Sequence, residues 1–173
     1  TIFLDGAGRG DQINARVKLD QVNIAKLGIL SYLAQIKGGG FISGEMNISG
    51  ALSDPKSLMG KADFTLKSIQ IDEQNLMGFQ LENMKIADGV IELVIDQGKV
   101  LAKNFKLGKP NSSDDLNVQL TGDITLNRYL NSSTLNLRAV LGLSDRVKQK
   151  LSLLDSLMAS AKQTDGRYAY KLT

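Results

Sequence analysis

Alternation between apolar and polar residues is the feature that most constrains how this chain can fold. It is cleanest in LNVQLTGDITLN, residues 116–127, where Leu116, Val118, Leu120, Ile124 and Leu126 occupy one set of alternate positions. The intervening positions are almost all polar. A period of two over this length is typical of a β-strand with one apolar face and one solvated face.

The same period recurs along the chain. In KADFTLK, residues 61–67, Ala62, Phe64 and Leu66 alternate with polar residues. Similar alternation is found in residues 12–19, 41–50, 89–96 and 134–143. Strands of this kind, separated by turn residues, indicate an antiparallel sheet in a meander.

Turn residues separate most of these stretches. Asp88–Gly89, Gln97–Gly98 and Asp165–Gly166 are pairs typical of hairpin turns. The sequence also predicts a turn at Ser53–Asp54–Pro55, a glycine turn over residues 5–11 and a polar loop over residues 109–115.

Two segments have helical spacing instead. Residues 23–36 place apolar side chains at helical intervals, with Asn23 as the predicted N-cap and Gly38–Gly40 as the predicted end. Residues 144–162 carry a longer apolar stripe, with Ser144 as the predicted N-cap. The second helix is predicted to cover the sheet; an interfacial membrane helix is the alternative.

These patterns predict a mainly β fold with two helices, in one domain over residues 1–173. The strands supply more apolar side chains than two helices can cover. We therefore expect a curved antiparallel meander sheet whose apolar concave face the helices cover only in part. The predicted lining of this apolar groove is Met46, Ile48, Phe64, Leu66, Val118, Leu120, Ile124, Leu151, Leu154 and Met158.

Composition argues against most enzyme classes. The chain has no His and no Cys, so it lacks the commonest general base, the commonest metal ligand and any thiolate. Ser53 and Lys56 have the Ser-x-x-Lys spacing of some hydrolases, but Pro55 places them in a predicted turn. We expect neither enzymatic activity nor a cofactor or metal.

Other polar motifs are predicted to be structural. The acidic pairs Asp72–Glu73 and Asp114–Asp115 are predicted to lie in solvated turns, and the glycines of residues 37–41 lack the Lys-Ser/Thr of a phosphate-binding loop. The net charge is +3, and the positively charged residues are scattered along the chain. Aromatic residues make up only 5%, with no Trp, so we predict no nucleic-acid binding. The same scarcity argues against a polysaccharide-binding or peptide-binding domain.

A family resemblance rests on short motifs. FISGEMNISGALSDPKSLMGKADFTLKSIQI, residues 41–71, resembles repeats of the AsmA-like superfamily of Gram-negative envelope proteins: a strand ending in Ser-Gly, an SDP turn and a new alternating strand. Residues 86–127 are similar to a second such unit. With the two helices and the closing Gly166, Tyr168 and Tyr170, the chain is more specifically similar to the type II secretion system protein N family.

The resemblance implies a non-enzymatic periplasmic protein, anchored to the inner membrane by a segment outside this chain. We therefore expect this chain to be a fragment of a longer protein. Two functions follow as expectations. One is an accessory component of a type II secretion system, acting in protein secretion through contacts with other envelope proteins. The alternative is a lipid-binding or lipid-transfer groove, with phospholipid as the ligand.

Overall fold

One large sheet dominates the fold. The computed structural model describes residues 1–28, 35–76, 79–110, 112–150 and 158–173. Nine strands form a sheet in the order β1-β2-β3-β4-β7-β8-β9-β10-β11, and every neighbouring pair is antiparallel. The strands of the sheet are β1 Ile2–Arg9, β2 Gln12–Asn23, β3 Gly38–Ala51, β4 Asp54–Ile71, β7 Met84–Asp96, β8 Lys99–Leu107, β9 Leu116–Thr125, β10 Thr134–Leu143 and β11 Tyr168–Leu172. The predicted antiparallel meander is confirmed.

Two short strands stand outside this order. β5 (Gln74–Leu76) and β6 (Phe79–Leu81) pair only with each other and connect β4 to β7. The side chain of Gln74 ties this connection to the sheet, since its Oε1 accepts a hydrogen bond from the Lys37 N–H at 2.8 Å and its Nε2 donates to the Lys37 carbonyl at 2.9 Å.

The first helix is shorter than predicted within the described residues. α1 spans Ile24–Leu27, and the predicted N-cap is confirmed because the Asn23 side chain accepts from the Ala25 N–H at 2.9 Å. Gly28 ends α1 in a left-handed conformation with φ 65°. The predicted end at Gly38–Gly40 is wrong, since these residues begin β3. Residues 29–34 lie outside the described residues.

The second helix begins as predicted. α2 spans Asp145–Lys150, and the Ser144 hydroxyl accepts from the Val147 N–H at 3.3 Å. Residues 151–157 lie outside the described residues, and a 3-10 turn follows at Ala159–Ala161. α1 follows β2 and α2 follows β10, two strands that run in the same direction, so both helices begin at one end of the sheet, called here the helical end.

The buried apolar core is small and lies mostly at the helical end. Among the described residues, its members there come from strand ends and from both helices: Val22, Ile24, Ile69, Met84, Ile86, Val147 and Tyr168. Tyr168 is fully buried. Each helix therefore contributes one buried side chain to this end of the sheet, Ile24 from α1 and Val147 from α2.

Two glycine predictions were wrong. Asp88–Gly89 lies inside β7, where Gly89 pairs with Leu66 and Leu107. A Cβ on Gly89 would lie 2.6 Å from Leu107 Cδ2, so this glycine makes room for neighbouring side chains. The predicted turn over residues 5–11 is confined to Gly10 and Asp11, because Gly6 and Gly8 belong to β1.

Most of the other predicted turns are confirmed. Gln97 and Gly98 connect β7 to β8 with φ values of 47° and 75°, as in a type I′ hairpin turn. The turn at Asp165–Gly166 and the loop before β9 are also present. The turn predicted at Ser53–Asp54–Pro55 is found at Leu52 and Ser53 instead, because Asp54 and Pro55 begin β4.

Gly44 shows how tightly neighbouring strands approach. It has φ 142°, and an added Cβ would collide with the Asp63 carbonyl oxygen and lie 2.8 Å from Phe64 Cδ1. The Phe64 ring therefore lies over Gly44 of the adjacent strand, an arrangement known to protect a glycine in a sheet.

Gly44→Ala should therefore destabilise the protein by about 2–4 kcal/mol, through a strained φ and a backbone collision. Gly39→Ala is the matched control in the same strand, since its Cβ would meet only Ala25 Cβ, at 3.7 Å. Urea unfolding of both variants tests this, and equal midpoints would contradict it.

Candidate functional site

Cross-strand pairing brings the apolar residues of the large sheet into four continuous rows, the apolar rows. Directly paired residues lie on the same face of a sheet. The rows run Gly6–Ala15–Ile48–Gly60–Ile95–Val100–Ile124–Leu135; Leu4–Val17–Met46–Ala62–Leu93–Ala102–Gly122–Leu137–Leu172; Ile2–Leu19–Gly44–Phe64–Ile91–Phe105–Leu120–Ala139–Tyr170; and Val22–Ile42–Leu66–Gly89–Leu107–Val118–Leu141–Tyr168. Tyr168 and Tyr170 carry the only polar side-chain atoms in these rows.

All seven strand residues predicted to line a groove belong to the apolar rows. Met46, Ile48, Phe64, Leu66, Val118, Leu120 and Ile124 are each partly exposed. Met158 is partly exposed and precedes the 3-10 turn. Leu151 and Leu154 lie outside the described residues.

The apolar rows retain contact with solvent. In β3, β4, β7, β8 and β9, most large side chains of the rows are neither buried nor fully exposed. The whole chain exposes 11068 Å², whereas a compact monomer of 18.7 kDa would expose about 8,300 Å². Apolar surface left in water costs about 25 cal/mol per Å², so covering it with an apolar ligand would be favourable.

The opposite face of the sheet is mainly polar. Arg16 Nη2 and Glu45 Oε2 lie 2.7 Å apart across β2 and β3, and Lys61 and Asp63 form a second pair at 2.7 Å. The hydrogen bond from Arg16 lowers the pKa of the Glu45 carboxyl. Both pairs are solvent-exposed and contribute little to stability, but they keep this face hydrated.

Asp115 fastens α2 to the sheet. Arg146 donates two parallel hydrogen bonds to its carboxylate, from Nη2 to Oδ2 at 2.7 Å and from Nε to Oδ1 at 3.1 Å. The Ser144 hydroxyl and the Lys85 N–H also donate to Asp115, at 3.1 and 2.9 Å. Asp115 thus joins the beginning of α2 to β7, and we call it, with Arg146, the Asp115–Arg146 clasp.

Asp114 closes the neighbouring loop. Its carboxylate accepts from the Ala87 N–H at 2.7 Å and from the Lys109 N–H at 2.8 Å. The prediction that Asp114–Asp115 lies in a solvated turn was wrong, because both residues are only 8% exposed. Sequence reasoning missed them because most of their partners lie in two distant segments, β7 and the beginning of α2. The acidic pair just before the cleanest strand was the available signal.

Hydrogen bonding keeps both carboxyls ionised. Burial by itself raises the pKa of Asp115, but the hydrogen bonds from Arg146, the Lys85 backbone and Ser144 together hold it below the usual aspartate value. Burial also raises the pKa of Asp114, but hydrogen bonds from the backbone N–H groups of Ala87 and Lys109 bring that pKa below the usual aspartate value. Both carboxylates therefore act as structural acceptors at neutral pH.

No metal-binding cluster of three or more acidic side chains is present in the described ranges. The structure also contains no helix, among the residues it describes, that is long and apolar enough to cross a membrane. Comparison with protein-family models, with curated proteins and with solved structures gives no match to this chain. The family resemblance accordingly stays a prediction from its motifs.

Asp115→Asn should lower the free energy of unfolding at pH 7 by about 1–3 kcal/mol, since it weakens hydrogen bonds to a charged, buried group. Asp96→Asn is the control, because Asp96 is an exposed carboxylate at the far end of β7. Urea unfolding with far-ultraviolet circular dichroism would measure both.

The clasp also predicts acid sensitivity. A carboxyl whose pKa is lower in the folded protein stabilises it above the unfolded-state value of about 3.9, and this contribution is lost as the pH falls through the folded-state pKa. Wild type should lose stability over this acidic range more steeply than Asp115→Asn. Parallel acid profiles would contradict the role assigned to Asp115.

Proposed function

We propose that this protein is a non-enzymatic component of the bacterial envelope that binds the acyl chains of phospholipid along its apolar rows. One observation carries the proposal: four apolar rows extend across the large sheet and remain partly exposed. A single layer of sheet with one oily side needs a second layer or an apolar ligand.

The dimensions of the rows suit acyl chains. Successive rows lie two residues apart along most strands, so four rows span about 20 Å, and eight strand spacings give a width of about 38 Å. A bilayer core of about 30 Å holds two acyl chains end to end, so one chain needs about 15 Å. An acyl chain lying along the strands would fit on this face, and several would fit side by side.

Curvature of this face is part of the proposal. Register shifts occur between Leu19 and Val22, between Gly39 and Phe41, and between Ala102 and Phe105. Such bulges bend strands and increase their twist. We take the apolar rows to form the concave side, which would wrap around bound chains and shield them from water.

The envelope location comes from the family resemblance. Residues 41–71 resemble AsmA-like repeats, and this supports a periplasmic protein of Gram-negative bacteria anchored to the inner membrane by a segment outside this chain. A lipid-binding face is consistent with that compartment, where lipids must cross an aqueous space.

Leu120→Lys should weaken lipid binding at least about tenfold, because a lysine at the centre of a row must be desolvated when an acyl chain covers it. Gln119→Lys is the matched control, because it introduces a lysine one residue away, on the polar face. Native mass spectrometry of the protein purified with phospholipid, and displacement of a fluorescent fatty acid, provide the measurements.

Wild type and Gln119→Lys should retain phospholipid, and Leu120→Lys should lose it while keeping its circular dichroism spectrum. If wild type carries no lipid and binds no fatty acid, the lipid proposal is wrong. Equal loss in both lysine variants would also count against it.

A second candidate, the secretion-accessory function, is favoured by the exposed edge of the sheet. Every residue of β1 is exposed, and Phe3 and Leu4 are 61% and 76% exposed. Within the described residues β1 pairs only with β2, so its outer backbone groups are available to a strand from another protein.

A photocrosslinking residue at Leu4 tests this second function in cells that produce a type II secretion apparatus. We expect an adduct with a subunit of the apparatus, identified by mass spectrometry, and none from the same residue placed at Lys67 on the polar face. The absence of such adducts at Leu4, or equal amounts of adduct at both positions, would contradict the secretion-accessory function.

A further inference from the structure

The polar face of β10 and β11 contains two cations directly opposite each other. Arg138 pairs with Lys171 in the antiparallel register. Such partners have Cβ atoms about 4.5–5.5 Å apart, and like charges in this position destabilise a sheet. Both residues are exposed and therefore accessible.

Neither cation has a protein partner in the described part of the chain. The side chains of Arg138 and Lys171 form no hydrogen bond or ion pair there. The nearest carboxylate by register is Asp123, which pairs with Asn136 and accepts a hydrogen bond from its Nδ2 at 3.3 Å. The repulsion between the two cations is thus left uncompensated.

These side chains line a cleft of about 500 Å³. Thr121, Asn136 and Gln163 add polar groups to its wall, and none of the described lining residues is acidic. The adjoining cleft shares Thr121, Arg138 and Gln163 and adds Arg167 and Asp165. Asp165 is already neutralised by Arg167, whose Nε donates to Oδ2 at 2.8 Å.

We propose that this cleft binds a phosphate group, with Arg138 and Lys171 as its principal ligands. The planar guanidinium of Arg138 can donate two parallel hydrogen bonds to phosphate oxygens, and Lys171 supplies a mobile point charge. The Thr121 hydroxyl offers a further donor from β9. Bound phosphate would turn the like-charge repulsion into attraction.

Protection of the sheet edge would explain Lys171 but not the presence of Arg138 opposite it. Lys171 lies in β11, an edge strand, and lysine is a common guard against edge-to-edge aggregation. That role does not require a second cation opposite it on β10, whereas a phosphate site does. By register the side chains of Arg138 and Lys171 lie on the polar face, opposite the apolar rows, so the phosphate proposal does not depend on the proposed lipid function.

The test is a nuclear magnetic resonance titration of the protein with inorganic phosphate, at ionic strength held constant with sodium chloride. Wild type should show saturable amide shifts around Thr121, Arg138 and Lys171. Arg138→Gln and Lys171→Gln should each weaken phosphate binding at least about tenfold, the effect of losing a hydrogen bond to a charged group. Lys67→Gln, an exposed lysine of the polar face on β4, should bind phosphate like wild type.

Flotation with vesicles distinguishes a lipid headgroup from free phosphate as the source. Binding to phosphatidylglycerol vesicles that Arg138→Gln abolishes and Lys67→Gln preserves would assign a headgroup phosphate, and phosphate binding without flotation would assign a free phosphate. Absence of both kinds of binding would overturn the proposal, as would equal losses in all three variants.

A thermal melt separates binding from a role in folding. Because Arg138 faces a like charge, Arg138→Gln should melt no lower than wild type in phosphate-free buffer. Phosphate should raise the melting temperature of wild type above that in chloride of equal ionic strength, and this increase should be absent in the variant. A variant that melts well below wild type without phosphate would show that Arg138 serves the fold instead.

Discussion

Register between neighbouring strands is the constraint on which the rest of this structure depends. Side chains alternate faces along a strand, so a slip of one residue would move an entire strand's apolar set to the wrong side. Here the nine strands are aligned so that Met46, Ala62 and Leu93 become direct neighbours. Bulges adjust the register where needed: one between Ala102 and Phe105 keeps both residues in their apolar rows.

The helical end is organised by different interactions. Most of the buried apolar side chains lie there, and the Asp115–Arg146 clasp fastens the beginning of α2 beside them. A charged anchor of this kind has strict geometry, whereas apolar contacts alone would allow a helix to slide. Among the described residues, most large side chains of the apolar rows elsewhere in the sheet stay partly exposed. This division between a packed end and an accessible sheet is what supports a binding function.

The two faces of the sheet offer different chemistry. The apolar rows suit hydrocarbon, while the opposite face keeps its charges in water and places Arg138 beside Lys171. The edge strand β1, which pairs only with β2 within the described residues, adds an exposed strand edge to these surfaces. The lipid, partner and phosphate proposals rest on different features, namely the apolar rows, the edge of β1 and the two facing cations, and they can fail separately.

Sequence alone determined the period of two, and with it the strands, their apolar faces and the meander, because alternation and turn residues are local properties. It placed the seven predicted groove residues of the strands, such as Phe64 and Leu120, on one face of the sheet, and it identified the caps Asn23 and Ser144. It erred at Gly89, whose role is to make room for Leu66 and Leu107 on other strands. It also erred at Asp114 and Asp115, whose burial depends on partners in β7 and at the beginning of α2. Only the tertiary structure decided the register between neighbouring strands, which carboxylates are buried and that Arg138 faces Lys171, because these are set by pairing between segments that sequence patterns treat one at a time.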